Sequence, residues 1–183
     1  MIDPHNCTNF SRSPSELWEF FIFSVFTAGK HSTQAARSTA CLLRGWEHDP
    51  RGRIVSLRQQ GRLLRRLRTC GIGQYRRLAR CLTEALPLDL ARCSLAELET
   101  VHGVGPKTAR FFLLHSRPDQ TYAVLDVHLL AHLRELGFPA PRQTPTSVRA
   151  YAKWEGVLLG LAERSGMTPA AYDLNIWRGR AAA

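Results

Sequence analysis

The chain has 183 residues, enough for one compact domain or for two small lobes with a cleft. It carries 25 Lys and Arg against 15 Asp and Glu, a net charge of +10 that suits a polyanionic partner, nucleic acid before membrane. No apolar run is long enough to cross a bilayer, the first residues lack a signal pattern, and Cys7, Cys41, Cys70, Cys81 and Cys93 form no Cys-x-x-Cys pair. A membrane-spanning segment, a zinc finger and a secreted disulfide framework are therefore not expected, and the expected location is the cytoplasm, at the nucleoid.

In chain order, residues 1–13 are polar and irregular and read as a loose arm. Ser15 can cap a helix whose apolar side is Leu17, Phe20, Phe21, Ser24 and Val25, with Glu16 and Glu19 in its first turn, ending near Thr27-Ala28-Gly29. A second helix is expected over about Thr33 to Arg44, carrying Ala36, Ala40 and Leu43. From Arg44 to Arg80 arginine dominates, opposed only by Glu47 and Asp49, while Leu57, Leu64, Leu67 and Leu78 recur at helical intervals. That pattern predicts a pair of helices with arginine faces, part of it solvated and part of it, Arg76 and Arg77 included, turned to phosphate.

Leu95, Leu98 and Val101 then follow a helical spacing, and Ser94 with Glu97 makes a capping box. Gly103 and Gly105 break that helix, Pro106 suits the first position of the next, and Lys107 follows at once. The result is a helix, a glycine hairpin and a second helix whose first amide N–H groups are left free to bind an anion. Asp126 stands before Val127, Leu129 and Leu130, where it can cap a further helix. A lysine and a carboxylate thus open two successive helices. Past Gly137 the prolines at 139, 141 and 145 interrupt the chain. A helix from about Thr146 carries Tyr151, Trp154, Val157, Leu158 and Leu161, and Thr168-Pro169 opens a last one through Tyr172, Leu174 and Trp177.

The run Gly103-Val104-Gly105-Pro106-Lys107-Thr108-Ala109, followed by Leu125-Asp126-Val127-His128, resembles the helix-hairpin-helix, Gly/Pro...Asp signature of the endonuclease III superfamily of DNA glycosylases. The tail Ala162 to Pro169 with Tyr172-Asp173-Leu174-Asn175-Ile176-Trp177, together with Thr27-Ala28 and Leu125-Asp126, resembles the small cluster-free branch of type 2 oxoguanine DNA glycosylases. That branch ends in lysine, whereas this sequence ends Arg178-Gly179-Arg180-Ala181-Ala182-Ala183.

The resemblance implies an all-α fold in two lobes, a central helical barrel over 14–121 and a second lobe from 1–13 with 122–183, with the active site at their junction. It implies a bifunctional glycosylase and AP lyase in base excision repair, acting as a monomer on double-stranded DNA that carries a damaged base, here oxidised guanine. Lys107 would be the nucleophile and Asp126 its electrostatic partner. DNA contacts would come from His102, Gly103, Val104, Gly105, Thr108, Arg110, His128, Arg76 and Arg77, and the base pocket from Trp177, Tyr172, Asp173 and Thr27. His128 can equally be a partly buried structural histidine, and Trp177 a core residue. The loop from Thr27 to Ser32 would lie beside the DNA, with Gly29, Lys30 and His31 as candidate wedges. No iron–sulfur cluster is expected, since no cysteine follows Cys93, and no catalytic metal or other cofactor. The one metal expected is a monovalent cation, Na+ or K+, on the hairpin carbonyls of His102 and Val104. Two alternatives stand beside this: an oxidised-pyrimidine glycosylase and AP lyase, and a non-catalytic helix-hairpin-helix DNA-binding module.

Overall fold

Apart from Glu19 and Ser24 the run Leu17–Phe26 is apolar, the pattern of a helix enclosed by others on most of its faces. In the computed structural model, which describes residues 2–181, this run is helix α1 (Pro14–Phe26), and everything from Leu17 to Phe26 except Glu19 is buried. Ser13, two residues ahead of the anticipated Ser15, forms its N-cap: the Ser13 hydroxyl accepts from the Glu16 N–H and the Glu16 carboxylate accepts from the Ser13 N–H. Pro14 explains the shift, because its fixed φ and absent N–H suit the first helical position.

Among the described residues nine further helices follow: α2 (Ser32–Leu43), α3 (Pro50–Gln59), α4 (Leu63–Thr69), α5 (Tyr75–Glu84), α6 (Leu95–Thr100), α7 (Pro106–Ser116), α8 (Val127–Glu135), α9 (Val148–Arg164) and α10 (Pro169–Ala181). Among the described residues there is no strand, so the fold is all-α as expected. The arginine-rich stretch makes three helices, not two, because Gly61 and Gly71 both take left-handed backbone angles that stop α3 and α4 early. Several of its arginines serve backbone carbonyls. Arg53 donates to Leu42 O and Arg66 to Cys41 O, both at the C-terminus of α2, and Arg51 donates to Leu86 O. Cations there satisfy carbonyls that have no intrahelical partner. None of the five cysteines is in a disulfide; burial, foremost, pushes the thiols of Cys70 and Cys81 up to about 12.

The chain divides into two units. The first comprises the residues up to Cys7 with Ser11–Phe112, and α1 packs there against α2, α3 and α5. Its aromatic centre is Phe20, whose ring lies 5.7 Å from that of Phe111 and 5.8 Å from that of Phe112, with the Arg12 guanidinium carbon 3.9 Å from its centroid. The second unit comprises Thr8–Phe10 with the residues from Leu113 on, and its core gathers Leu125, Leu129, Leu130, Leu133, Tyr151, Trp154, Leu158 and Ile176. This division differs from the anticipated break at residue 121. It falls inside α7, where Phe112 belongs to the aromatic centre while His115 bonds to Thr8 and Asn9. A continuous helix gives periodicity no mark of such a change. Met1, Ala182 and Ala183, which the sequence reading assigned to the second lobe, lie outside the described residues.

Replacing Phe20, which is fully buried, with alanine removes the ring on which the first unit's aromatic contacts converge. Urea denaturation should show a loss of about 3–5 kcal/mol with an unchanged slope.

Candidate active site

The hairpin is built by satisfying some backbone groups and leaving others open. Ser94 and Glu97 form the expected capping box at α6, and the turn that follows closes with Val104 N–H donating to Val101 O at 3.0 Å. Gly103 takes φ +83°, the left-handed geometry that a side chain resists. Gly105 does not; it faces open space, and its carbonyl receives Ala109 N–H, the first bond into α7. Among the described residues no backbone carbonyl accepts the N–H of Gly105, Lys107 or Thr108. Lys107, half-buried, stands second in α7, beside those open amides. Thr108 is buried, Val104 is buried, and His102 is exposed.

Three charged side chains hold the turn. Arg77 from α5 donates through Nη1 to the Gly103 carbonyl at 2.6 Å. Glu84, also on α5, accepts the His102 N–H at 2.8 Å; bonds from Arg80 and from this N–H hold its carboxyl below the ordinary glutamate range. Arg110 on α7 pairs with Glu99 on α6 at 2.9 Å and bonds the Pro106 carbonyl. Arg77 and Arg110, read from sequence as phosphate contacts, therefore have partners inside the protein, whereas Arg76 is exposed.

Asp126 opens α8 as its N-cap, with Oδ1 accepting both His128 N–H and Leu129 N–H at 2.9 Å. The segment before it is irregular yet mostly buried, so its peptide groups need partners. They find them on α9 and the loop ahead of it. Ala123 N–H donates to Glu155, the Tyr151 hydroxyl donates to Ala123 O and accepts from Leu125 N–H, and Thr144 donates to Leu125 O. Asp126 N–H itself reaches back to Val124 O at 2.9 Å. The carboxylate is thus fixed from both sides along the chain. His128 is half-buried beside it, and Val127, between them, is 58% exposed.

Within the second unit, α10 supplies Tyr172, Asp173 and Trp177. The Tyr172 hydroxyl meets His132 Nε2 at 3.0 Å; burial raises the Tyr172 pKa and lowers that of His132. Asp173 is buried, its Oδ2 lying 3.1 Å from His115 Nε2, while His115 Nδ1 lies 2.7 Å from the Thr8 hydroxyl. The other oxygen, Asp173 Oδ1, is buried with no hydrogen-bond partner. Trp177 is half-buried. Thr27, which caps the end of α1 in the first unit, spends its hydroxyl on Ser24 O. Sequence reasoning missed Tyr151, Thr144, Glu155, Glu84 and His115. The one local sign among them is His115, a buried polar residue directly after the apolar run Phe111–Leu114. Among the described residues, no group of three or more His, Cys, Asp or Glu is placed to hold a metal ion.

No protein-family model and no curated protein matches this sequence. Solved structures do match. The 8-oxoguanine DNA glycosylase of Methanocaldococcus jannaschii superposes with a TM-score of 0.77 at 20% identity, over 97% of this chain and 84% of that one. The glycosylase/lyase of the same organism in complex with 15mer DNA containing 8-oxoguanine gives 0.74 at 21% identity, over 94% and 84%. The 8-oxoguanine DNA glycosylase of Thermotoga maritima gives 0.72 at 23% identity, over 90% and 79%. This chain therefore has the fold of 8-oxoguanine DNA glycosylases. At such identities the likeness is one of fold.

Tyr151→Phe removes a hydroxyl that serves two buried backbone groups ahead of Asp126. Chemical denaturation should register a loss of about 1–3 kcal/mol, and amide exchange at Leu125 should quicken more than exchange in α10.

Proposed function

We propose that this protein is a DNA glycosylase and AP lyase that removes oxidised guanine from double-stranded DNA as a monomer. The observation that carries the reading is the start of two successive helices, Lys107 beside the open amides of a glycine hairpin and Asp126 as the cap of the next, in a chain with the fold of 8-oxoguanine glycosylases. The fold's likeness to one such enzyme solved on damaged DNA supports a DNA substrate. No helix among the described residues is long and apolar enough to cross a membrane.

The chemistry needs few parts. The target base leaves the duplex stack, and a phosphate of the same strand binds the amides of Gly105, Lys107 and Thr108 together with the macrodipole of α7. The Lys107 amine attacks C1′ of the deoxyribose, the bond from C1′ to the base nitrogen breaks, and the base departs with a proton. Asp126 stabilises the positive charge that develops on the sugar. The amine–sugar adduct opens to a Schiff base. Loss of a C2′ proton then expels the 3′ phosphate by β-elimination, and water returns the lysine. Side chains suffice for every step, so the reading calls on no cofactor. In the base pocket, the unpaired Oδ1 of Asp173 is an acceptor suited to the N1–H and exocyclic N–H of guanine, with Trp177 as a stacking surface. His102, Gly103, Val104, His128 and Arg76 complete the proposed DNA contacts, and Thr27 and Tyr172 the proposed pocket.

Borohydride trapping on duplexes holding 8-oxoguanine, thymine glycol or an abasic site tests this directly. A covalent adduct on 8-oxoguanine is expected, absent in Lys107→Gln. Asp126→Asn keeps a good helix cap and should slow trapping by about 10²–10⁴-fold without unfolding the chain. An adduct on thymine glycol alone would move the enzyme to oxidised pyrimidines. Tight binding with no adduct on any duplex would leave a DNA-binding module.

A further inference from the structure

We propose that Arg77 is the hairpin's resident cation: its guanidinium, seated on the Gly103 carbonyl, sets the turn and takes the place of a bound metal ion. Three observations join here. Arg77 Nη1 donates to Gly103 O at 2.6 Å. A Cβ on residue 103 would stand 2.9 Å from that nitrogen and 3.1 Å from Arg77 Cγ, so the arginine lies flat across the glycine and residue 103 has no room for a side chain. Arg77 Nε is buried without a partner, so this side chain is committed inward and is not free to follow a DNA phosphate.

The bond acts through the peptide it touches. Gly103 C=O and Val104 N–H belong to one peptide group, and that N–H closes the turn on Val101 O at 3.0 Å. A cation on the carbonyl polarises the group and strengthens the bond its N–H makes. The same helix holds the turn a second time. Glu84 stands seven residues after Arg77, two helical turns along α5 and so on the same face. It accepts His102 N–H at 2.8 Å while Arg80 steadies its other oxygen at 2.6 Å. α5 therefore offers a positive group to a hairpin carbonyl and a negative group to a hairpin amide.

The expected site for Na+ or K+ comprised the carbonyls of His102 and Val104, on either side of Gly103. A second cation there would stand close to a guanidinium already paired with the carbonyl between them, and the two would repel. The hairpin of this chain is thus wired for phosphate without a metal, its Arg77 acting as a positioning residue while Gly105, Lys107 and Thr108 make the contact. The DNA-binding part of this inference rests on the proposed glycosylase reading; the structural part does not.

Two readouts separate them. Amide hydrogen exchange over residues 101–108 is measured without DNA, and affinity for an undamaged duplex is measured in potassium, sodium and tetramethylammonium chloride at equal ionic strength. Wild-type affinity should be the same in all three salts within about twofold, since no specific ion is needed. Arg77→Met should quicken exchange at Val104 and weaken the duplex roughly tenfold or more, as loss of a charge-assisted bond does. Arg77→Lys should recover part of both, and Arg92→Met, which removes an exposed charge elsewhere on the first unit, should change neither. If Arg77→Met lowers the melting point of the whole chain, the lysine variant alone decides, by Val104 exchange nearer the wild type. Wild-type affinity that collapses in tetramethylammonium, or Arg77→Met with unchanged exchange at Val104, would overturn the proposal. A wild-type chain that binds no duplex in any salt would overturn the glycosylase reading, with the exchange arm still deciding the clasp.

Discussion

The constraint on which this structure most depends is that backbone amides must be either satisfied or deliberately left open. At Ser13, Ser94, Asp126 and Ser147 a side-chain oxygen closes a helix start. At Pro106, among the described residues, no backbone carbonyl accepts the first amides of α7, which stay open beside Lys107. Water can serve such amides at a surface, so the arrangement costs little in the free protein. It also leaves a row of donors aligned with a positive helix end, which an anion can use without any rearrangement. α2, α4 and α5 likewise start without a side-chain cap; what distinguishes α7 is the glycine hairpin ahead of it and Lys107 in its first turn.

The same accounting explains the arginines. A net charge of +10 invites a reading in which every arginine faces DNA, yet Arg51, Arg53, Arg66 and Arg77 all bind carbonyls of their own chain. Guanidinium is suited to this, being always charged and carrying five donors in a rigid fork. The charge is not lost to the surroundings when a carbonyl is bound, so such residues fasten the helices and still raise the positive potential around them. Exposed residues such as Arg44, Arg58, Arg65, Arg68 and Arg76 remain for direct contact with a polyanion.

Local features were legible in the sequence, and features that join distant residues were not. The capping box at Ser94, the break at Gly103, the start of α7 at Pro106 and the cap at Asp126 all follow from residues within four positions of one another. Each was read correctly, because each rests on short-range chemistry. Gly103 and Gly105 are both expected to break the helix, and of the two Gly103 takes the left-handed φ, since one positive φ suffices to turn the chain. The support of Asp126 was invisible. Tyr151 lies 26 residues from Leu125 in sequence and meets it only through tertiary packing. Likewise, the apolar face assigned to α1 understated its burial, because a one-sided stripe is the usual pattern and the run Phe20–Phe26 exceeds it.

Asp173 shows how far this accounting extends toward specificity. His115 is fully buried, and both its ring nitrogens have partners, Thr8 on one side and Asp173 on the other. The ring is therefore locked, and it anchors Oδ2 of Asp173 while Oδ1 has none of its own. A buried acceptor without a donor costs about 1–3 kcal/mol, so its retention calls for a reason that folding does not supply. Guanine offers donors that fit, at N1 and at the exocyclic amine, and on the proposed reading they would satisfy that oxygen. Intact guanine offers the same two donors, however. The oxidised base differs in carrying a hydrogen on N7 and an oxygen on C8, neither of which a carboxylate reading N1 can sense. On the proposed reading Asp173 would select guanine over the other bases, and discrimination of the lesion from its parent would fall to a group that meets the opposite edge of the ring.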